Sequence, residues 1–329
     1  MDSTLLKVKN LSVSFPRRDR VLTAVNDVSF SLEAGERLGL VGESGAGKSV
    51  TGFSILNLVS KPGFISGGSV LFEGRELNTM PAKELQEIRG NRISMIFQDP
   101  MMTLNPVITI GDQMSETLMA HRKISRKEAE ELSVACLAKV YIPSPEKRLK
   151  QYPHELSGGM RQRVVIAIAL LTNPSLIIAD EPTTALDVTI QAEIMELLVE
   201  LCENERMGLV LITHDLGVVS QMTHKMAVMY AGRIVETGPT AEIISNPLHP
   251  YTRGLLAALP QSAQEGRRLN QIPGVMPSLS AVPPGCSFNP RCDMAQDTCR
   301  QQLPRLLAAP NAPHRSVACH IVAAAQGEK

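Results

Sequence analysis

The segment "GESGAGKS", Gly42–Ser49, has the pattern of a phosphate-binding loop, G-x-x-x-x-G-K-S/T. The apolar stretch "RLGLVG" leads into it, and "KSVTGFSILNLV" at its end has helical spacing. In such a strand–loop–helix unit, glycines let consecutive backbone N–H groups point at phosphate oxygens, and the helix N-terminus adds its positive end. We expect Lys48 to bridge the β- and γ-phosphates of a nucleotide and Ser49 to ligate Mg²⁺. The residues predicted to line the nucleotide here are Gly42, Glu43, Ser44, Gly45, Ala46, Gly47, Lys48, Ser49 and Val50.

The stretch "SLIIADEP" contains the acidic groups that metal-dependent phosphoryl transfer needs. Its apolar strand ends in Asp180, which can hold Mg²⁺ through water. Glu181 follows at the mouth of the strand, where a carboxylate can polarise the attacking water. An acidic turn after a core strand would explain the same letters in isolation, but the phosphate loop in the same chain favours the catalytic interpretation.

Three other side chains are candidates for the same site. Gln98, in "MIFQDP", follows an apolar strand and could reach the metal or the water, although alone it would be an ordinary surface glutamine. His214, in "LITHD", also ends an apolar strand, which places it with Gln98 and Glu181 at the ligand-binding edge of a parallel sheet. Phe15 precedes the basic turn "PRRDR" and either stacks on adenine or belongs to the core.

A second glycine-rich stretch, "LSGGMRQR" at Leu156–Arg163, precedes an apolar run with helical character. In isolation, an N-cap serine followed by a flexible turn explains it equally well. A second phosphate contact is the alternative, because backbone N–H groups at a helix N-terminus bind anions. Because this stretch lies more than a hundred residues after the first loop, the question is whether it binds the same phosphate as that loop or a different one.

The wider composition limits the class of protein. Strand-like and helix-like segments alternate, which predicts a layered α/β fold with a parallel sheet. Lys+Arg and Asp+Glu are balanced at 33 each, whereas nucleic-acid binders usually have a basic excess, so we expect no nucleic-acid partner. The longest aliphatic run, Val164–Leu171, is too short to span a bilayer, and the N-terminus lacks the features of a secretory signal. We therefore expect a cytosolic protein that meets a membrane only through a partner.

Together these motifs resemble those of the ATP-binding-cassette (ABC) ATPases. The resemblance runs from about residue 5 to residue 250 and includes the phosphate loop, a glutamine loop at Gln98, the signature "LSGGM", "LIIADEP", "TTALD" at Thr183–Asp187, and a switch histidine at His214. Any one of these is a weak or moderate signal, but all six in this order are highly specific. The resemblance implies an ATPase that uses ATP and Mg²⁺. The catalytic residues it implies are Lys48, Gln98, Glu181 and His214.

The resemblance also implies a fold and a division of the chain. We expect a P-loop NTPase with a RecA-like core, an antiparallel β subdomain and a helical subdomain of about residues 99–165. These would form a nucleotide-binding domain of residues 1–250. Prolines and cysteines cluster after this point, so residues 251–329 are predicted to be a C-terminal extension.

In such ATPases two cassettes pair head to tail, which would answer the question raised by the second glycine-rich stretch. Ser157, Gly158 and Gly159 would contact the γ-phosphate held by the partner cassette. Asp187 would lie along the same interface and link the two sites. The usual signature ends in Gln where this chain has Met160, a difference typical of the peptide-importer branch.

The tail narrows the resemblance to one branch. The segments "NPLHPYTRGLLAALP", "IPGVMPSL" and "PPGCSFNPRC" resemble the C-terminal extension of the oligopeptide, dipeptide and nickel importer ATPases. That branch implies an extracytoplasmic solute-binding protein, two transmembrane permeases and two different ATPases, placing this chain on the cytoplasmic face of a bacterial inner membrane. The apolar segment "PMMTLNP", Pro100–Pro106, would receive a permease helix, or else pack on its own helices.

Six cysteines divide into two groups. Cys136 and Cys202 lie in helical apolar patterns and are predicted to be core thiols. The other four have the spacing C-x5-C-x6-C-x19-C, and this spacing alone leaves an iron–sulfur cluster, zinc and free thiols open. The resemblance points to a [4Fe–4S] cluster, with Zn²⁺ as the alternative. The predicted ligands are Cys286, Cys292, Cys299 and Cys319.

Other functions of ABC-type ATPases fit less well. Cassette proteins of DNA repair and chromosome maintenance insert long coiled coils between phosphate loop and signature, whereas the segment from Asp99 to Glu155 is short. Translation-associated cassette proteins usually carry two cassettes in one chain, and this chain has one. A regulatory cassette without activity is disfavoured because the catalytic set is complete.

Overall fold

The computed structural model of the chain describes residues 4–184, 186–259, 271–309 and 312–324. Contacts between Cα atoms divide the chain into two compact units. The first contains residues 1–5, 33–36 and 79–210, and the second contains residues 6–32, 37–78 and 211–329. The division into a nucleotide-binding domain and a separate extension stays a prediction.

The described residues form strands and helices in alternation. The strands are β1 (Thr4–Pro16), β2 (Val21–Glu33), β3 (Arg37–Val41), β4 (Phe64–Phe72), β5 (Arg75–Glu76), β6 (Ile93–Ile96), β7 (Leu176–Asp180), β8 (Gly208–Thr213), β9 (Lys225–Tyr230), β10 (Arg233–Pro239), β11 (Leu307–Ala309) and β12 (Ala312–Val317). The helices are α1 (Lys48–Ile55), α2 (Ala82–Ile88), α3 (Pro100–Thr103), α4 (Ile110–His121), α5 (Arg126–Lys139), α6 (Pro145–Leu149), α7 (Gly158–Leu170), α8 (Val188–Glu205), α9 (Leu216–Met222), α10 (Thr240–Ser245), α11 (Pro250–Ala257), α12 (Asp297–Gln301) and α13 (His320–Ala324). Short 3-10 turns lie at Pro153–Glu155 and Asn289–Arg291.

The first unit contains helices beside a parallel strand pair. Strands β6 and β7 run parallel, with Ile93 opposite Leu176, and all five residues of β7 are buried, as expected for a strand covered on both faces. Polar residues at the helix starts set where the helices begin. The hydroxyl of Thr109 accepts a hydrogen bond from the backbone N–H of Asp112 at the start of α4, and Ser125 caps α5 in the same way.

The second unit contains a four-stranded sheet in the order β2-β1-β4-β5, in which β1 and β4 are antiparallel. In the same unit β3 runs parallel to β9, and β9 and β10 form an antiparallel hairpin. The C-terminal strands extend this pairing, because β12 lies antiparallel to β10 with Val317 opposite Glu236, and β11 pairs with β12. The sequence did not predict that the tail adds strands. Strand β8 contains residues of both units.

The structure also tests two predictions about individual segments. Cys136 and Cys202 are buried, as their helical apolar patterns predicted. The Cys136 thiol donates a hydrogen bond to the carbonyl of Ala167 at 3.2 Å, and burial raises its pKa to about 11. In the described ranges, none of the helices combines the length and apolar character needed to cross a lipid bilayer.

Candidate functional site

The predicted strand–loop–helix is present, because β3 ends at Val41 and α1 begins at Lys48. Two glycines of the loop are required by their surroundings. Gly42 has φ +155°, and a Cβ there would overlap the carbonyl oxygen of Met229. Gly47 has φ +98°, and a Cβ there would lie 2.7 Å from the carbonyl oxygen of Ala24. The backbone conformation that exposes N–H groups to a phosphate therefore depends on glycine.

Lys48 lies inside this loop. Only 5% of the residue is exposed, and its ammonium donates hydrogen bonds to the carbonyl oxygens of Gly42 at 2.9 Å and Glu43 at 3.1 Å. A buried cation held among backbone dipoles is an environment that fits an anionic phosphate. Ser49 is half-buried in the first turn of α1, where a hydroxyl can ligate Mg²⁺. The residues present therefore fit the phosphates of ATP with Mg²⁺.

The loop is also held from the C-terminal part of the chain, which the sequence did not predict. The Tyr251 hydroxyl accepts a hydrogen bond from the backbone N–H of Glu43 at 2.9 Å. The guanidinium of Arg291 donates a hydrogen bond to the carboxylate of Glu43 at 3.0 Å. No sequence signal connects these residues with the loop, since both lie more than two hundred positions away.

In the first unit, two donors converge on the carboxylate of Glu181. The side-chain amide of Gln98 donates to Oε2 at 3.2 Å, and the hydroxyl of Thr184 donates to the same oxygen at 3.0 Å. The backbone of Glu181 has φ +45°, which is uncommon for a residue with a side chain and is typical of functional sites. Asp180 ends β7 just before it and is 4% exposed. The structure thus brings Gln98 to Glu181 and adds Thr184, which the sequence analysis did not select.

The second glycine-rich stretch forms the start of α7. Ser157 is the N-cap, and its hydroxyl accepts a hydrogen bond from the backbone N–H of Met160 at 3.3 Å. Gly159 is close to its neighbours, because a Cβ there would lie 2.9 Å from Cγ2 of Ile190. The exposed serine and the following glycines leave a helix N-terminus that can receive an anion. The cap alone is equally consistent with a structural role.

Three remaining candidates keep their predicted roles untested. Asp187 caps α8, where its carboxylate accepts from the backbone N–H of Ile190 at 3.0 Å, while Ala185 of the "TTALD" segment lies outside the described residues. His214 is exposed directly after β8. Phe15 is half-buried beside Gly63, so close that a Cβ on this glycine would overlap the ring. That contact suits the core interpretation of Phe15, and adenine stacking stays a prediction.

The prediction of a [4Fe–4S] cluster or Zn²⁺ at the four C-terminal cysteines is wrong. Across the described ranges, no group of three or more His, Cys, Asp or Glu side chains is placed to hold a metal ion. The four cysteines instead line a cavity of about 10 Å³, the scale of one water molecule, whose other lining residues are His249, Pro250, Phe288, Asn289, His320 and Ile321. The cysteines concerned are Cys286, Cys292, Cys299 and Cys319.

The four C-terminal cysteines are free thiols in the structure. Burial raises the pKa of the Cys286 thiol to about 11, and burial is also the main cause of the raised pKa of Cys292. The wrong prediction came from the resemblance to the importer branch, since the spacing alone had left a cluster, zinc and free thiols open.

Known proteins match the chain along its length. A family model described as "ABC transporter" matches residues 25–184, and one described as "Oligopeptide/dipeptide transporter, C-terminal region" matches residues 235–299. The oligopeptide transport ATP-binding protein OppD of Escherichia coli is 52% identical over 300 residues, covering 91% of this chain and 89% of that protein. The oligopeptide transport ATP-binding protein AppD of Bacillus subtilis is 48% identical over 320 residues, covering 97% of each.

Solved structures share the fold. A dimeric post-hydrolysis state of the ATP-binding cassette MJ0796, bound to ADP and Pi, matches with a TM-score of 0.64 and 28% identity over 71% of this chain and 98% of that one. Cassette cbiO1 of Clostridium perfringens matches with a TM-score of 0.63 and 26% identity, over 74% and 92% of the two chains. These similarities confirm the predicted fold class, although they give no support to a cysteine cluster in the tail.

Proposed function

Because this chain belongs to the ATP-binding subunits of the oligopeptide/dipeptide ABC transporters, we propose that it powers the import of peptides. Proteins of this family hydrolyse ATP to drive transport, and this chain is such an ATPase. The observation that carries the proposal for its chemistry is the carboxylate of Glu181, held by Gln98 and Thr184 directly after a buried strand.

The proposed reaction is attack of water on the γ-phosphorus of ATP, with ADP leaving. Lys48 neutralises the β- and γ-phosphate oxygens, and the loop N–H groups bind them. Ser49, and Asp180 through water, would hold the Mg²⁺, which would supply further positive charge to the phosphates. Glu181 accepts a hydrogen bond from the attacking water and orients it, while Gln98 fixes the direction of that carboxylate. His214 is proposed to contact the γ-phosphate as the switch residue.

We propose that the complete ATPase is a head-to-tail pair of cassettes, in which the second is a paralogue rather than a copy of this chain. Ser157, Gly158 and Gly159 then bind the γ-phosphate of the partner's ATP, and Asp187 lies along the interface. The support is the exposed N-terminus of α7, a helix of 13 residues. The dimeric cassette among the similar structures was solved with the hydrolysis products ADP and Pi.

Two transmembrane permeases and an extracytoplasmic solute-binding protein complete the proposed importer, and this chain lies peripherally on the cytoplasmic side of the inner membrane. The proposed contact with a permease is the segment around α3. Met101, Met102 and Val107 are 46%, 85% and 76% exposed, and such a concentration of exposed large apolar side chains along one short segment supports a protein partner there.

A co-purification experiment tests this function. An affinity-tagged form of the full chain is expressed in the bacterium that naturally produces it and purified in mild detergent. Two permeases and a second cassette are expected to co-purify with it. In lipid vesicles, this complex should hydrolyse ATP faster when the solute-binding protein is loaded with peptide. Recovery of ribosomes or DNA-repair proteins without permeases would contradict the proposal. A rate of ATP hydrolysis that is unchanged by peptide but rises with another solute would also contradict it.

A further inference from the structure

The phosphate loop is linked to the C-terminal region by a partly buried ion pair. Arg291 donates from Nη1 to Oε2 of Glu43, the second residue of the loop, at 3.0 Å. The side chain of Arg291 is 7% exposed and that of Glu43 is 28% exposed, so water screens this pair weakly. An ion pair at this depth fixes the carboxylate more firmly than a surface pair would.

Arg291 is itself held in place by its surroundings. Its Nε donates to the carbonyl oxygen of Pro273 at 2.9 Å, and its Nη2 donates to that of Ile272 at 3.4 Å. The guanidinium carbon lies 5.8 Å from the ring centre of Tyr230 and 6.0 Å from that of Phe288, within the range of a cation–π contact. The C-terminal region therefore offers the loop a rigid cation.

A second contact reaches the backbone of the same loop residue. The Tyr251 hydroxyl accepts from the N–H of Glu43 at 2.9 Å. The Tyr251 ring is fully buried against Tyr230 and Phe288, with ring centres 4.6 Å and 5.4 Å away. The aromatic cluster that supports Arg291 thus also supports Tyr251, and both ends of Glu43, backbone and side chain, are held.

The carbonyl oxygen of Glu43 links these contacts to the chemistry of the loop. It accepts a hydrogen bond from Nζ of Lys48 at 3.1 Å. We propose that Arg291 and Tyr251 are positioning residues for ATP binding: they hold Glu43 so that the phosphate loop and Lys48 are preorganised before the nucleotide arrives. This inference rests on the proposed role of Lys48, and it assigns to the C-terminal region a function in nucleotide binding.

Loss of the arginine would leave the carboxylate without its cation. Oε1 of Glu43 is already buried without a hydrogen-bond partner within the described residues, so the charge would have to move towards water. That movement would turn the peptide plane that carries the bond to Lys48. The cost would appear in binding of the phosphates more than in the chemical step, because the loop would have to be reordered by each incoming nucleotide.

The test uses the full chain and the intact transport complex, with a fluorescent ATP analogue for binding and ATP for turnover. The variants are Tyr251→Phe, which keeps the ring and removes the hydroxyl, and Arg291→Gln, which removes the charge. We expect each to raise the nucleotide Kd and the KM for ATP roughly tenfold while changing kcat less. Arg315→Gln is the matched control, since this buried arginine pairs with Glu236 on β10 and its described hydrogen bonds do not involve the phosphate loop.

A double variant separates positioning from general destabilisation. In a Glu43→Gln background, Arg291→Gln should raise the Kd little further, because the partner of the cation is already neutral. Arg315→Gln should lower the melting temperature and leave Kd unchanged. Unchanged Kd and KM in both Tyr251→Phe and Arg291→Gln would overturn the inference, as would an equal rise of Kd in Arg315→Gln. Unchanged nucleotide binding in Lys48→Ala would instead contradict the role proposed for the loop.

Discussion

The side-chain amide of Gln98 donates a hydrogen bond to Oε2 of Glu181 at 3.2 Å, so the glutamine acts on the carboxylate directly. From sequence, Gln98 was a candidate for contact with the metal or the water. Because Glu181 also accepts a hydrogen bond from the hydroxyl of Thr184 on the same oxygen, the two donors together orient the carboxylate. A carboxylate oriented in this way can accept a hydrogen bond from a water molecule that lies at one defined position.

Replacing Glu181 by Gln tests the proposed base directly. The amide keeps the size of the side chain but is a poor acceptor for the proton of water, so the chemical step should slow. We expect a loss of about a thousandfold in kcat, equivalent to ~4 kcal/mol of barrier, with nucleotide Kd unchanged. Steady-state ATP hydrolysis by the purified complex measures this. Near-normal turnover in Glu181→Gln would rule out the role of the carboxylate.

Thr184→Val tests whether orientation of the carboxylate matters. Valine keeps the shape of threonine and removes one of the two donors to Glu181. We expect kcat to fall roughly tenfold with nucleotide binding intact, because a misdirected carboxylate still binds water but holds it poorly for attack. The control is the same change in a Glu181→Gln background, where it should have little further effect on kcat. An equal loss of kcat in both backgrounds would show that Thr184 acts elsewhere.

Local patterns predicted the parts of the site that depend on local geometry. The phosphate loop could be read from the sequence because Gly42 and Gly47 adopt backbone conformations that few other residues allow, and Lys48 follows at a fixed spacing. The ion pair between Arg291 and Glu43 could not be predicted from the sequence, because 248 positions separate the two residues and only the fold brings them together.

The wrong prediction at the four C-terminal cysteines came from the family resemblance, because their spacing alone left a cluster, zinc and free thiols open. Spacing along a chain does not report the volume that four side chains enclose, and here the enclosed cavity has about 10 Å³. The strands of the tail were missed for a related reason. Strand β12 pairs with β10 through backbone hydrogen bonds, which leave no mark on the sequence. Because β12 is short, has an ordinary composition and lies among prolines, its sequence did not predict a strand.

Ser157→Ala tests whether the second glycine-rich stretch serves a partner's nucleotide. The change removes the N-cap of α7 and should lower stability by about 1 kcal/mol. If Ser157 contacts the ATP of the other cassette, turnover of the complex should fall severalfold while nucleotide Kd of this chain alone stays unchanged. Ser125→Ala is the matched control, because this serine caps α5 with the same bond at 3.2 Å. Equal turnover in Ser157→Ala and Ser125→Ala would show that Ser157 acts only as a helix cap and does not contact the partner's ATP.

We expect the buried side chain of His249 to make the stability of the C-terminal region depend on pH. The residue is 1% exposed, and its Nδ1 accepts a hydrogen bond from the backbone N–H of Tyr251 at 3.0 Å, which requires a neutral ring. Burial lowers the pKa of His249 from 6.5 to about 3, although a hydrogen bond with the backbone of Ala318 opposes the shift. Between these two values the unfolded chain binds a proton that the folded chain does not, so the free energy of unfolding should fall as the pH falls from 6.5 towards 3.

The expected loss from this histidine is about 2 kcal/mol between pH 7 and pH 5. His249→Asn removes the titrating group and keeps a side-chain acceptor for the cap of α11. Denaturant unfolding at the two pH values should therefore show a smaller loss in this variant than in the wild type. His154→Asn, at an exposed histidine, should lose stability with acid as the wild type does. If His249→Asn is as acid-sensitive as the wild type, other groups dominate the pH dependence and the buried ring does not.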